Sequence, residues 1–152
     1  MIVDGGFEGA SVWSFGATPR RGGYVTTPVH GGLKSARLGV LPATGDAYSY
    51  STVYQQIVLP AGAGRITLRY WYWPGSQDSA ADSQLALILD TRYRSIGRVM
   101  QVLQNNQAWR AVASDLTRFA GQSVVIYFNV LNDGDGQRSW MYVDDVSVEV
   151  CP

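Results

Sequence analysis

The chain is a succession of short stretches in which apolar and polar residues alternate, and nearly every stretch is closed by Gly, Pro, Asn or Asp. Alternation with a period of two is the pattern of a half-buried strand. "YSTVYQQIVLP" reads as a strand ending at Pro60, and "RITLRYWYW" as one that stops at Pro74-Gly75. "SQLALILD", "GRVMQVLQ", "SVVIYFNVL" and "SWMYVDDVSVEV" follow, while "SARLGV" and a weaker piece near "SVWSF" precede them. The only helix candidate is "SDLTRFAG", where Asp115 caps a single turn that closes at Gly121. Eight or so strands joined by turns, without an amphipathic helix, predict an all-β, two-sheet antiparallel β-sandwich, most simply a jelly roll. The 152 residues suit one domain, with its core over about residues 4–150.

Charge narrows the function. Charged residues are 16% of the chain and the formal net charge is zero. Neither a nucleic-acid footprint nor a polybasic stretch for an anionic membrane is present. The basic residues are 11 Arg against one Lys, but the arginines are scattered and define no site. Cys151, the single cysteine, makes no intramolecular disulfide, so the fold must stand on its core and any bound metal. No run reaches the ~18 apolar residues of a membrane span. The first residues lack a signal-peptide pattern, so a secreted protein would already have lost its signal.

Strand phase sorts the side chains. In "RITLRYWYW", Ile66, Leu68, Tyr70 and Tyr72 share the core face, leaving Arg69, Trp71 and Trp73 outward. In "SQLALILD", Leu85, Leu87 and Leu89 are expected inward, with Gln84, Ala86, Ile88 and Asp90 outward. In "SVVIYFNV", Val124, Ile126, Phe128 and Val130 are inward, leaving Val125, Tyr127 and Asn129 outward. Aromatic rings and hydrogen-bonding groups opposite the core are what a sugar requires: a pyranose stacks on a ring while its hydroxyls meet fixed donors and acceptors. The candidate ligand set is therefore Trp71, Trp73, Arg69, Tyr54, Tyr127, Gln84, Asp90 and Asn129.

"GGFEG" followed by Trp13, then "VHGGLKSARLG", "YQQIVLP", "LRYWYWP", "AWRAVASDLTRFAGQ" and "MYVDDVSVEV" together resemble the calcium-containing β-jelly-roll carbohydrate-binding modules of bacterial secreted proteins. MAM-type domains and accessory domains of secreted metallopeptidases are distantly similar. The resemblance runs from about residue 4 to residue 150. It implies one structural calcium between the first and last strands, with Glu8 and Asp144 as side-chain ligands. Carbonyls near Asp4 to Gly6 and from His30 to Lys34 would complete the shell. Asp145 is the weaker choice, because adjacent strand residues point to opposite faces. Two carboxylates with carbonyls supply the six to eight oxygens a hard cation takes. Gly31-Gly32 departs from the resemblance, since Ser often stands there and would offer an oxygen.

Other chemistry lacks its parts. "NDGDGQ" (Asn132 to Gln137) has two aspartates two apart but not the spacing of a helix–loop–helix calcium site, and reads as a polar turn. His30 is the only histidine and has no nucleophile elbow beside it, which argues against a catalytic triad and leaves a turn residue; zinc lacks ligands. Trp109 and Trp13 read as core or edge anchors. The expectation is a non-catalytic, extracellular module that binds polysaccharide or glycan. The alternative is an accessory or adhesive domain that contacts protein within a longer secreted chain.

Overall fold

A computed structural model describes residues 1–9 and 11–152. Ten strands appear in chain order: β1 (Ser14–Phe15), β2 (Gly23–Val25), β3 (Ser35–Gly39), β4 (Tyr48–Val58), β5 (Arg65–Ser76), β6 (Ser83–Leu89), β7 (Ser95–Val102), β8 (Arg110–Asp115), β9 (Ser123–Asp133) and β10 (Ser139–Cys151). They form two five-stranded antiparallel sheets, β1-β4-β9-β6-β7 and β2-β3-β10-β5-β8. From β3 onward the chain crosses repeatedly from sheet to sheet, as a jelly-roll sandwich requires. The expected helical turn is a 3₁₀ turn, Thr117–Phe119, and Asp115 Oδ1 accepts the Thr117 N–H at 2.8 Å. It ends at Phe119 with Ala120 as its C-cap, and Gly121 follows at φ 78°, which suits a residue without a Cβ.

The core lies between the sheets. Val53, Ile57, Ile126, Phe128 and Val130 from the first sheet meet Leu38, Ile66, Leu68, Tyr70 and Val143 from the second, and all are buried. Trp13 belongs to this core: its ring stacks on Phe7 at 4.7 Å, and its indole N–H donates to the Asp4 carbonyl at 2.7 Å.

Three local expectations are corrected. First, β5 does not stop at Pro74-Gly75 but runs on to Ser76, pairing with β10. The β8 ladder covers β5 only from Thr67 to Tyr72, so the missing proline N–H falls on an unpaired edge and breaks no ladder bond. Second, the phase of β6 is the reverse of the expected one. Ala86 and Ile88 are buried opposite Phe128 and Ile126, whereas Leu85 and Leu87 are half-buried opposite Asn129 and Tyr127. Gln84 points inward with them and is fully buried. Its Nε2 lies 3.0–3.1 Å from the carbonyls of Gly75, Gln104 and Trp140, so its two hydrogens are shared among three acceptors, and its Oε1 accepts the Gln104 N–H at 2.9 Å. That set of partners is what makes a buried amide tolerable. Third, strict alternation fails in β10: a bulge between Asp144 and Ser147 carries Asp145 into the left-handed region, at φ 49°.

Candidate functional site

The outward face of the first sheet is built mainly by β4 and β9. Tyr48, Tyr50, Thr52 and Tyr54 alternate along β4 with inward residues, and Tyr54 stands directly opposite Tyr127 while Thr52 faces Asn129. The Tyr54 and Tyr127 rings lie 5.9 Å apart at 30°. Leu87 and Arg98 continue the same row across β6 and β7. Burial pushes the Tyr127 phenol above its usual range; Thr52 opposes this and the phenols of Tyr54 and Tyr50 add to it. Asn129 is almost wholly buried at the centre of this face, and its Oδ1 has no hydrogen-bond partner. A buried acceptor without a donor is a costly arrangement.

One wall of the face is the β6–β7 hairpin. Asp90 fixes it: Oδ1 accepts the N–H groups of Arg92 and Arg94 at 2.8 and 3.0 Å, and Oδ2 accepts from Arg94 Nε at 2.8 Å. Chiefly the Arg94 backbone bond, joined by that of Arg92 and the Arg94 guanidinium, holds the Asp90 carboxyl below its usual range. The turn sets Tyr93 at φ 61° and folds its ring edge-on against Tyr54, 5.6 Å away. Tyr93 escapes strand-phase reasoning because it stands in a turn.

The predicted ligand residues do not form one cluster. Tyr54, Tyr127 and Asn129 share the face just described, and Asp90 supports its wall. Gln84 is in the core. Arg69, Trp71 and Trp73 lie on the outward face of the other sheet, across the sandwich. There the His30 ring stacks on Trp71 at 4.0 Å and 16°, Trp109 packs edge-on against Trp73 at 5.8 Å, and Arg69 pairs with Glu149 at 2.8 Å. A shallow depression of about 340 Å³ opens beside Trp71, bordered by Arg69, Ala111 and Ala113.

Of the residues expected at the metal, Glu8 bonds to Lys34, and Asp144 and Asp145 both bond to the His30 loop. Glu8 Oε1 accepts the N–H groups of Leu33 and Lys34 at 2.9 and 3.1 Å, and the Lys34 ammonium donates to the Glu8 carbonyl at 3.0 Å. Asp144 Oδ2 accepts from His30 and Gly31 at 2.8 and 3.1 Å, and Oδ1 from the Asp145 N–H at 2.8 Å. Despite these donors, burial pushes the Asp144 carboxyl above its usual range. Asp4 turns both oxygens onto the N–H groups of Glu8 and Gly9. The bulge overturns the parity argument against Asp145: its Oδ2 lies 2.6 Å from His30 Nδ1, on the same loop that Asp144 holds. A Cβ on Gly31 would stand 2.7 Å from Asp145 Oδ2, and one on Gly32 would stand 2.1 Å from Glu8 Oε1. The two glycines thus admit carboxylates where Ser would collide. In kind the donor set fits a hard cation: carboxylate and carbonyl oxygens, with no thiolate and with His30 Nδ1 already engaged. Among the described residues, the three ligating side chains that come within 4.8 Å of one another are Asp78, Asp82 and Asp133; Glu8, Asp144 and Asp145 form no such group. Asp82 is buried there, and burial raises its carboxyl. The "NDGDGQ" segment is the expected turn between β9 and β10, but its first aspartate belongs to this group.

The sandwich is the fold of carbohydrate-binding modules and of cleaved adhesin domains. The module TmCBM61 in complex with β-1,4-galactotriose superposes with a TM-score of 0.70 at 16% identity, over 98% of this chain and 97% of that one. The K3 cleaved adhesin domain of Lys-gingipain from Porphyromonas gingivalis W83 gives 0.63 at 15% identity, over 97% and 98%. In sequence, the chain is 26% identical over 130 residues to the pre-pro-metalloprotease PrtV of Vibrio cholerae serotype O1 (strain M66-2); the match takes in 74% of this chain and 14% of PrtV. No protein-family model matches it. No helix among the described residues is long and apolar enough to cross a membrane.

Proposed function

We propose that this chain is a non-catalytic, extracellular carbohydrate-binding module that holds a polysaccharide or glycan on the outward face of its first sheet. The observation that carries the reading is the cluster of Tyr54, Tyr127 and Tyr93 rings on this face, with the unpartnered Asn129 Oδ1 at the next outward-facing cross-strand pair along the ladder. A sugar ring would stack on the tyrosines, with Arg98 and Gln101 at the margin. Binding is stacking plus hydrogen bonding, with no covalent step. The galactotriose held by TmCBM61 makes a neutral galactan the first ligand to try.

Calcium belongs to the same proposal. Glu8 and Asp145 would hold it with loop carbonyls, while Asp144 and Asp4 anchor the backbone around them. Bound, it would tie the N-terminal segment to β10 and the 28–34 loop, and supply cohesion without chemistry.

The test is affinity electrophoresis against a panel of polysaccharides. Retardation that is lost in Tyr54→Ala and Tyr127→Ala, and kept in Trp71→Ala and Trp73→Ala, supports the reading. A second reading, an adhesive or accessory domain of a longer secreted protein, draws on the adhesin likeness and the PrtV match. It would use the opposite face, at the depression beside Trp71. No retardation across the panel favours it.

A further inference from the structure

The edge strands among the described residues are β1 and β7 of the first sheet and β2 and β8 of the second. An edge presents unused backbone N–H and C=O groups, and proteins ordinarily blunt it. β1 and β2 are two and three residues long, too short to seat another strand. β7 is irregular: its register with β6 shifts twice, and such bulges spoil an edge for pairing. β8 lacks these protections. Its six residues pair with β5 without a shift, and Ala111, Val112, Ala113 and Ser114 fill the space between the charges at its two ends. Alternate residues of such a strand turn N–H and C=O away from their partner, here toward the open side.

The outward surface beside that edge has room for side chains. Ala111 stands opposite Trp71 and Ala113 opposite Arg69, and both alanines are exposed. Nothing bulky therefore separates the open edge from those two β5 residues. The depression beside Trp71 is continued by a second hollow of about 260 Å³, bordered by Arg65, Thr67 and Ala113, and Arg69 lines both. Glu149 takes the Arg69 Nε, but the terminal guanidinium nitrogens meet no acceptor among the described residues. A strand added to β8 would lie two strand spacings from β5, about 10 Å. An arginine and an acidic side chain reaching toward each other span that gap.

We propose that β8 is a docking edge for an extended peptide of a partner protein, one that carries an acidic and an aromatic side chain two residues apart. The peptide adds a sixth strand to the five of the second sheet. Main-chain bonds along β8 supply affinity, and alternate side chains supply selectivity. The residue opposite Ala113 brings its carboxylate to the free Arg69 nitrogens, and the one opposite Ala111 lays its ring beside Trp71. A second copy of β8 does not meet this need, because its one carboxylate, Asp115, already accepts the Thr117 N–H. The inference rests on the protein-contact reading of this face and gives it a defined partner. The glycan reading concerns the face across the sandwich.

Fluorescence anisotropy with a labelled peptide, Thr-Val-Phe-Thr-Glu-Val-Thr, tests it against the same peptide with Lys in place of Glu. Hydrogen exchange of the whole chain reads where the peptide lies. At saturation, alternate amides between Arg110 and Asp115 should slow by at least about tenfold, while those of β4 and β9 do not change. The Glu peptide should bind about tenfold more tightly than the Lys peptide, the size of one hydrogen bond to a charged group. Arg69→Gln should erase that preference, and so should Ala113→Leu, which fills the passage from the edge to Arg69. Both positions are exposed, so melting temperatures of the two variants should match the parent. Binding that leaves β8 exchange unchanged overturns strand addition but leaves the protein-contact reading standing. Equal affinity for the two peptides, or a preference that survives Arg69→Gln, overturns the acidic assignment. Protection of β8 that grows with protein concentration, without peptide, gives the edge to a second copy and overturns the inference. Binding of neither peptide overturns it too, and leaves the glycan reading untouched.

Discussion

Gln84 is a polar side chain doing the work of a backbone strand. Fully buried, it serves three carbonyls and one N–H that come from β5, β10 and the segment after β7. Gln84→Leu fills the same volume but leaves those groups without partners, at ~1–3 kcal/mol for each that stays dry. We expect a loss of about 3 kcal/mol in urea unfolding, with glycan affinity at the tyrosine cluster unchanged. A loss below about 1 kcal/mol would mean that water replaces the amide. Whether such a residue faces in or out is hard to read from sequence. In β5 and β9 one parity is mainly aliphatic and the other carries aromatic or polar groups, so the inward set declares itself. In β6 both parities are apolar, Leu85 and Leu87 against Ala86 and Ile88, and each begins with a polar residue, Ser83 on the first and Gln84 on the second, so neither parity is marked by Gln84. It points the wrong way because its partners come from segments distant in the chain.

At the scale of elements, two short devices shape the faces. The β6–β7 hairpin that holds Tyr93 against Tyr54 is closed by backbone bonds between Asp90 and Arg94 and between Tyr93 and Asp90, and the ionised Asp90 carboxylate adds three more. Hydrogen bonding lowers the Asp90 carboxyl below its unfolded value, so its contribution is present above the ordinary range near ~3.9 and is lost as pH falls through the lowered value. Glycan affinity should therefore be flat from neutral pH down to about 4 and weaken below it. Asp90→Ala should show the weaker affinity already at pH 7 and vary less on acidification. An identical acid limb in both proteins would assign the effect to another group. The second device is the β10 bulge, which turns both Asp144 and Asp145 toward the 28–34 loop. Alternation in "MYVDDVSVEV" hides it, since a left-handed aspartate leaves no mark on the pattern. The neighbouring glycines do record it: Gly32 has φ 63° and no room for a Cβ beside Glu8. Gly32→Ala should destabilise by roughly 2 kcal/mol, from the backbone conformation and the displaced carboxylate together. Thermal unfolding reads it, and a neutral result would mean that the loop is free to shift.

Across the whole molecule the seam and the sandwich solve different problems. Burial between the sheets holds the strands, but Asp4 to Gly9 have no ladder of their own and are fastened through the Asp4, Glu8 and Asp145 neighbourhood, with the Val146 N–H bonded to the Gly5 carbonyl at 2.9 Å. Asp4 and Phe7 hold φ of 51° and 58° there, conformations that persist only where the surroundings over-determine them. A cation at this seam would act on the whole fold, because the same groups join the N-terminus, the loop and the last strand. A ligand bound only by the native state at ~1,000 times its dissociation constant adds about 4 kcal/mol. For a domain of this size that is a melting shift on the order of 10 °C, so excess EDTA should lower the midpoint by that much and calcium should restore it. Glu8→Gln/Asp145→Asn should melt low with or without calcium. Asp78→Asn/Asp133→Asn should keep the full response if the seam is the site, and lose it if the second aspartate group is. The two variants therefore assign the ion to one end of the sandwich or the other. An EDTA response of zero in the parent would leave the N-terminal segment held by its hydrogen bonds alone, with Asp144 acting through the three N–H groups it accepts.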